Sequence, residues 1–144
     1  MTDHRASTHW TGDIATGQGE LSLDNCGAGP FTVSLSARAG ETAGETSPEE
    51  LLAAAHSTCL AMSFAALLAE HDLVAGFTDA SATVSTGKTP DGWAITAIAL
   101  SLQAQVDGLD DDRFQKLAAI AEKTCPVSKA LSAAPITMSA SLLP

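Results

Sequence analysis

Three cysteines are the residues best able to do chemistry in this 144-residue chain. Cys59 lies inside an apolar run, where composition alone makes it a small buried hydrophobe. Cys125 directly precedes Pro126. With that proline opening a short helix, Cys125 falls at the N-cap, where the helix dipole favours a thiolate; an incidental loop thiol is the alternative. Cys26, between Asn25 and Gly27 in an expected loop, has no activating neighbour and is taken as incidental. The odd count argues against a structural disulfide framework. Metal binding is the competing use of the same residues. His56 and Cys59 are one helical turn apart, a workable pair of zinc ligands, and Cys125 could be a third. No second paired cluster supports them, and His4 and His9 fall in a stretch expected to fray. His56 therefore reads better as a core-edge histidine or hydrogen-bonding partner than as a ligand.

The elements that must position these residues are legible in outline. Ser47 is a helix N-cap, Pro48 occupies the first helical position, and Glu50 completes a capping box. The helix so opened should run to about Asp72. Before it, residues 8–23 suggest a hairpin around Thr16-Gly-Gln-Gly19, and Phe31–Ser36 alternates apolar and polar like a half-buried strand. Residues 39–46 form a polar loop. After the helix, strands at Thr78–Lys88 and Trp93–Val106 flank a turn at Thr89-Pro-Asp-Gly92. A second helix starts at the acidic run Asp110-Asp-Asp112 and places Phe114, Leu117, Ala118 and Ala121 on one face. A short helix follows Cys125-Pro126, and Pro135–Leu142 closes as a strand. The order is not an alternating βα repeat. It predicts a single domain over 1–144 of the α+β class, with antiparallel sheets around a long buried central helix.

Charge narrows the partners. Seventeen acidic residues against seven basic ones give a net charge of −10. That argues against a nucleic-acid partner, which needs a basic face, and equally against docking on an anionic membrane surface. Aromatics are 4% and tyrosine is absent, so base-stacking platforms are missing too. Leu51–Ala69 is long enough to span a bilayer, but it carries His56, Ser57, Thr58, Cys59 and Ser63. Acidic residues flank it and no Lys or Arg anchors either end. The first ten residues hold no apolar stretch of the secretory kind. A cytoplasmic protein is the expectation.

Two segments carry a resemblance. Ser47-Pro-Glu-Glu-Leu-Leu-Ala-Ala-Ala-His-Ser-Thr-Cys59, continuing to Ser63, resembles the first active-site segment of the OsmC/Ohr family of thiol peroxidases. Thr124-Cys-Pro-Val-Ser-Lys-Ala-Leu131 resembles the second, with its Cys-Pro-x-Ser core. The likeness extends to Trp10–Asp13 and Gly92–Thr96, and His56-x-x-Cys59 resembles the OsmC branch in particular. The resemblance implies an intertwined homodimer with peroxidase sites at the subunit interface. It also implies a peroxidatic role for Cys59, a resolving role for Cys125, an activating role for Arg38, and an orienting role for Glu49. The substrate would be an organic hydroperoxide, with hydrogen peroxide a second candidate. The reductant would be a dithiol, lipoyl or other, and no cofactor or metal is implied.

Elementary physics supports asking for a cation. Cys59 lies about three turns beyond Ser47, whereas dipole effects fade within the first turn. Burial alone would raise its pKa and silence it. Arg38 is the only basic residue close before the cysteine helix, and its fork suits both a carboxylate and a thiolate. Without the resemblance, Arg38 would be a solvated strand-end residue and Glu49 an acid favoured by the helix dipole. On a straight helix, a rise of about 1.5 Å per residue puts Glu49 roughly 15 Å from Cys59. The helix must kink, or the partner chain must supply one member; the second is favoured. The competing classes are a zinc-binding module and a non-catalytic structural thiol protein.

Overall fold

The computed structural model describes residues 1–144. The chain divides into two units, Met1–Leu51 and Leu52–Pro144.

In the first unit, strands β1 (Ala6–Thr11), β2 (Gln18–Leu23) and β3 (Ala28–Val33) form an antiparallel sheet with β2 central. His9 is therefore not in a frayed tail. It sits in β1 opposite Glu20 of β2. The expected strand through Ser36 is cut short, because Ser34 instead caps a one-turn helix, α1 (Leu35–Arg38). The Ser34 backbone is extended and its hydroxyl accepts from the Ala37 N–H at 3.1 Å. Such a local bond offers the backbone an alternative to the sheet ladder. The Ser34 hydroxyl also donates to Glu45, and Thr42 donates to Ser36 at 2.7 Å. These bonds tie the polar loop to α1.

Helix α2 (Pro48–Glu70) begins as the capping residues require. The Ser47 hydroxyl accepts from the Glu50 N–H at 3.1 Å, while the Glu50 carboxylate takes its proton donor from Thr46 Oγ1 at 2.6 Å. The capping box is thus half made. The helix ends two residues before the expected Asp72, which adopts a left-handed φ of 55° beyond it. By length and composition α2 could cross a membrane, and it is the one helix that could.

In the second unit, β4 (Ala75–Thr89) and β5 (Gly92–Val106) form a long antiparallel hairpin. Gly92, at φ 111°, closes the turn in a conformation that side chains resist. Helices α3 (Asp111–Thr124) and α4 (Pro126–Ala130) follow, and then β6 (Ile136–Leu143). Strand β6 lies parallel to β5, from Ile98↔Ile136 to Gln105↔Leu143. This corrects the all-antiparallel expectation: the second sheet is mixed. Two helices between β5 and β6 supply the long crossover that a parallel pair needs.

The core of this unit takes Ile98, Leu100, Leu102, Ala104 and Val106, every second residue of β5. Against them pack Leu60, Phe64 and Leu68 of α2 and Phe114, Leu117, Ala118 and Ala121 of α3. Phe64 and Phe114 meet edge to face at 5.6 Å between ring centroids. The expectation of a buried central helix holds for one stripe only. His56, Leu60, Phe64 and Leu68 are the buried residues of α2, while Met62 on another face is 68% exposed. The apolar composition is all-round, but the chain's own core reaches a single side.

Candidate active site

Two elements of the second unit bring the reactive residues together. On α2, His56 and Cys59 are one turn apart. On α4, Cys125 is the N-cap and Ser128 follows one turn on, with Pro126 opening the helix. The Cys59 and Cys125 sulfurs, 66 residues apart in sequence, lie 2.7 Å from one another in a thiol–thiol hydrogen bond. Both are free thiols. A disulfide of about 2.05 Å needs only a small further approach. The matching bond joins His56 Nε2 to the Ser128 hydroxyl at 2.7 Å.

The two thiols differ in access and in charge preference. Cys59 is half-buried, whereas Cys125 is fully buried. Burial pushes the Cys59 thiol up, and its bond to Cys125 adds to that against smaller opposing contributions from the Val127 amide and Ser63. Burial also opposes ionisation of Cys125. There it is outweighed by Cys59, by the Ser128 amide and hydroxyl, and by the Val127 amide, which bring this thiol below its ordinary value. The titration belongs to the pair. Its surroundings favour a thiolate on Cys125, the reverse of what an attacking Cys59 needs, and a cation at Cys59 would restore that order.

Arg38 and Glu49 belong to the first unit. Arg38, expected at a strand end, sits in the last turn of α1. Its Nε donates to Glu49 Oε1 at 2.8 Å, and Nη2 approaches the same oxygen at 2.7 Å. This is the chain's only ion pair. With the arginine side chain 49% exposed, solvent screening keeps its contribution to stability small. Its chemistry is more informative. Both guanidinium contacts use one carboxylate oxygen, so Glu49 Oε2 is buried without a partner and the guanidinium retains free N–H donors.

No group of three His, Cys, Asp or Glu side chains is placed to hold a metal ion. The ring of His56 is committed to Ser128, and Cys26 stays exposed with only a long contact to Leu23 O. The sequence reading assigned Ser128 no role. The equal one-turn spacings His56–Cys59 and Cys125–Ser128 are the signal that could have found it.

Burial lowers the His56 pKa below its ordinary 6.5, opposed only by the charge of Glu122. As pH falls through 6.5 the unfolded chain takes up this proton before the folded one. The stability held by neutral His56 is complete above that value and is lost below it. Denaturant titrations from about pH 7 to about pH 5 should show this loss, and His56→Asn should flatten the slope.

Comparison with known proteins agrees with this architecture. A family model described as OsmC-like protein matches residues 40–140, a span that includes Glu49 and both thiols and begins just after Arg38. The peroxiredoxin OsmC of Escherichia coli (strain K12) is 38% identical over 138 residues, covering 92% of this chain and 93% of that protein. Among solved structures, an OsmC-like protein of Vibrio cholerae O1 superposes with a TM-score of 0.77 at 18% identity, covering 97% and 99% of the two chains. The organic hydroperoxide resistance protein OhrB of Bacillus subtilis gives 0.66 at 25% identity, covering 96% and 98%. The architecture is that of the OsmC-like α+β proteins. The chain belongs to the OsmC family.

Proposed function

We propose that this chain is a thiol-dependent peroxidase that reduces organic hydroperoxides and acts in defence against oxidative or osmotic stress. The observation that carries the reading is the 2.7 Å approach of Cys59 and Cys125. It is supported by the 38% identity to a protein named peroxiredoxin. Cys59, the more accessible thiol, attacks the peroxide oxygen and becomes a sulfenic acid. Cys125 condenses with it to a disulfide, and a dithiol reductant restores both thiols by exchange. Arg38 supplies the cation that brings Cys59 to the thiolate, and Glu49 orients the guanidinium. Of the apolar residues near Cys59, Leu60 and Phe64 are spent in the core, so exposed Met62 is the one that can bias the site toward organic over hydrogen peroxide.

The residues act as one domain over 1–144, in a cytoplasmic homodimer that needs neither metal nor cofactor. The exposed apolar faces of α2 support the second copy, since a 23-residue helix of this composition with four buried residues leaves much apolar surface in water. The test is thiol counting on purified protein before and after one equivalent of cumene hydroperoxide. Loss of two thiols per chain is expected. Full retention, or bound zinc with no loss, would overturn the reading.

A further inference from the structure

The site contains a buried polar pair that the reaction above does not use. His56 is fully buried, Ser128 is 4% exposed, and their 2.7 Å bond runs beside the thiol pair. Two one-turn pairs, His56–Cys59 and Cys125–Ser128, are thus bonded twice across α2 and α4. An apolar side chain at position 56 would continue the stripe of Leu60, Phe64 and Leu68 at no desolvation cost, so the ring needs another reason to be there.

We propose that His56, acting through Ser128, is a positioning residue that aims a hydroxyl proton at Cys125 and so governs disulfide closure rather than peroxide attack. The inference rests on the peroxidase reading. A serine hydroxyl carries one proton. If His56 donates from Nε2, Ser128 accepts there and its own hydrogen is free for the Cys125 sulfur. The opposite arrangement would place a proton on His56 Nδ1, which is buried and has no partner. Buried N–H groups without an acceptor are rarer than unfilled acceptors, so the Nε2–H form is preferred. The groups acting on this chain of bonds are Cys59 from α2, Glu122 from α3, and Val127 and Ser128 from α4. Burial keeps the ring neutral, and the Ser128 hydroxyl favours the ionised sulfur.

The step is balanced. A hydroperoxide has oxidised Cys59 to the sulfenic acid; Cys125 sulfur attacks that sulfur, the S–O bond breaks and the S–S bond forms. Hydroxide leaves and takes up the Cys125 proton as water. Stabilising the Cys125 thiolate accelerates this step; in the reduced pair it competes with Cys59 for the charge, so it gives the attack on peroxide no assistance.

The test separates the two halves. In a Cys59→Ser background, the ultraviolet absorbance of the Cys125 thiolate is followed against pH. Ser128→Ala and His56→Leu should each raise the midpoint by about one unit, and His56→Gln, which keeps an amide donor, should restore it. With Cys59 present, the same two variants should form sulfenic acid no more slowly than the parent under one equivalent of cumene hydroperoxide, since a less acidic Cys125 leaves more of the pair's charge to Cys59. Disulfide closure should slow about three- to fourfold at neutral pH, because the smaller thiolate fraction is partly offset by a more nucleophilic sulfur. Unchanged midpoints, or slowed sulfenic acid formation with normal closure, would overturn the inference. If His56→Leu does not fold, Ser128→Ala carries the same expectation. A parent that ignores peroxide sinks the peroxidase reading, whereas the titration still decides whether His56 and Ser128 act on Cys125.

Discussion

Cys59→Ser should reduce hydroperoxide consumption by about three orders of magnitude or more, to the background of unassisted thiols. A serine hydroxyl is not ionised near neutral pH, and no oxidised form of oxygen replaces a sulfenic acid. Cys125 cannot take over, although its surroundings favour ionisation, because it is fully buried while Cys59 reaches solvent. Arg38→Met offers a graded control. It keeps the nucleophile but removes the cation, so the rate should fall while the pH optimum moves up toward the raised Cys59 value. The check is peroxide loss with excess dithiol over a pH series. Turnover by Cys59→Ser at the parent rate would end the assignment.

Cys125→Ala should preserve the first reaction and lose the cycle. One equivalent of peroxide is consumed, and Cys59 then accumulates as a sulfenic acid that a carbon nucleophile such as dimedone traps. Steady turnover with a dithiol should drop by at least about tenfold, because the reductant must attack the sulfenic acid directly instead of exchanging with a disulfide. Mass spectrometry of the trapped adduct against the parent, which should show the disulfide instead, checks the outcome. A normal multi-turnover rate would remove Cys125 from the resolving role. Repeated exposure should carry the variant on to the sulfinic acid, since nothing intercepts the first oxidation.

Features encoded within a few residues were readable from the sequence. The Ser47 cap and the Asp110 cap are local bonds between near neighbours, the Pro126 helix opening is a fixed local backbone geometry, and each is found in the structure. The apolar face of α3 was likewise legible, because Phe114, Leu117, Ala118 and Ala121 follow helical spacing. Alternation alone misread Ser34–Arg38, where a single hydroxyl redirects the chain into α1. Strand direction at β6 was not readable, since alternation is the same for parallel and antiparallel partners. The Ser128 bond was also hidden. It joins residues 72 apart, and only the fold brings them together. Apolar composition identified α2 as a central helix but could not say how many of its sides one chain covers.

The parallel placement of β6 also orders events in time. Cys125 rides on the segment between β5 and β6, and that segment becomes a closed crossover only when Ile136–Leu143 aligns with Ile98–Gln105. A growing chain can complete the β4–β5 hairpin while Cys125 is still free to wander from Cys59. The thiol contact spans 66 residues, more than any strand pairing in the chain, so its loop-closure cost is the larger one to meet. Oxidant reaching the chain before that contact forms finds separate cysteines rather than a redox couple.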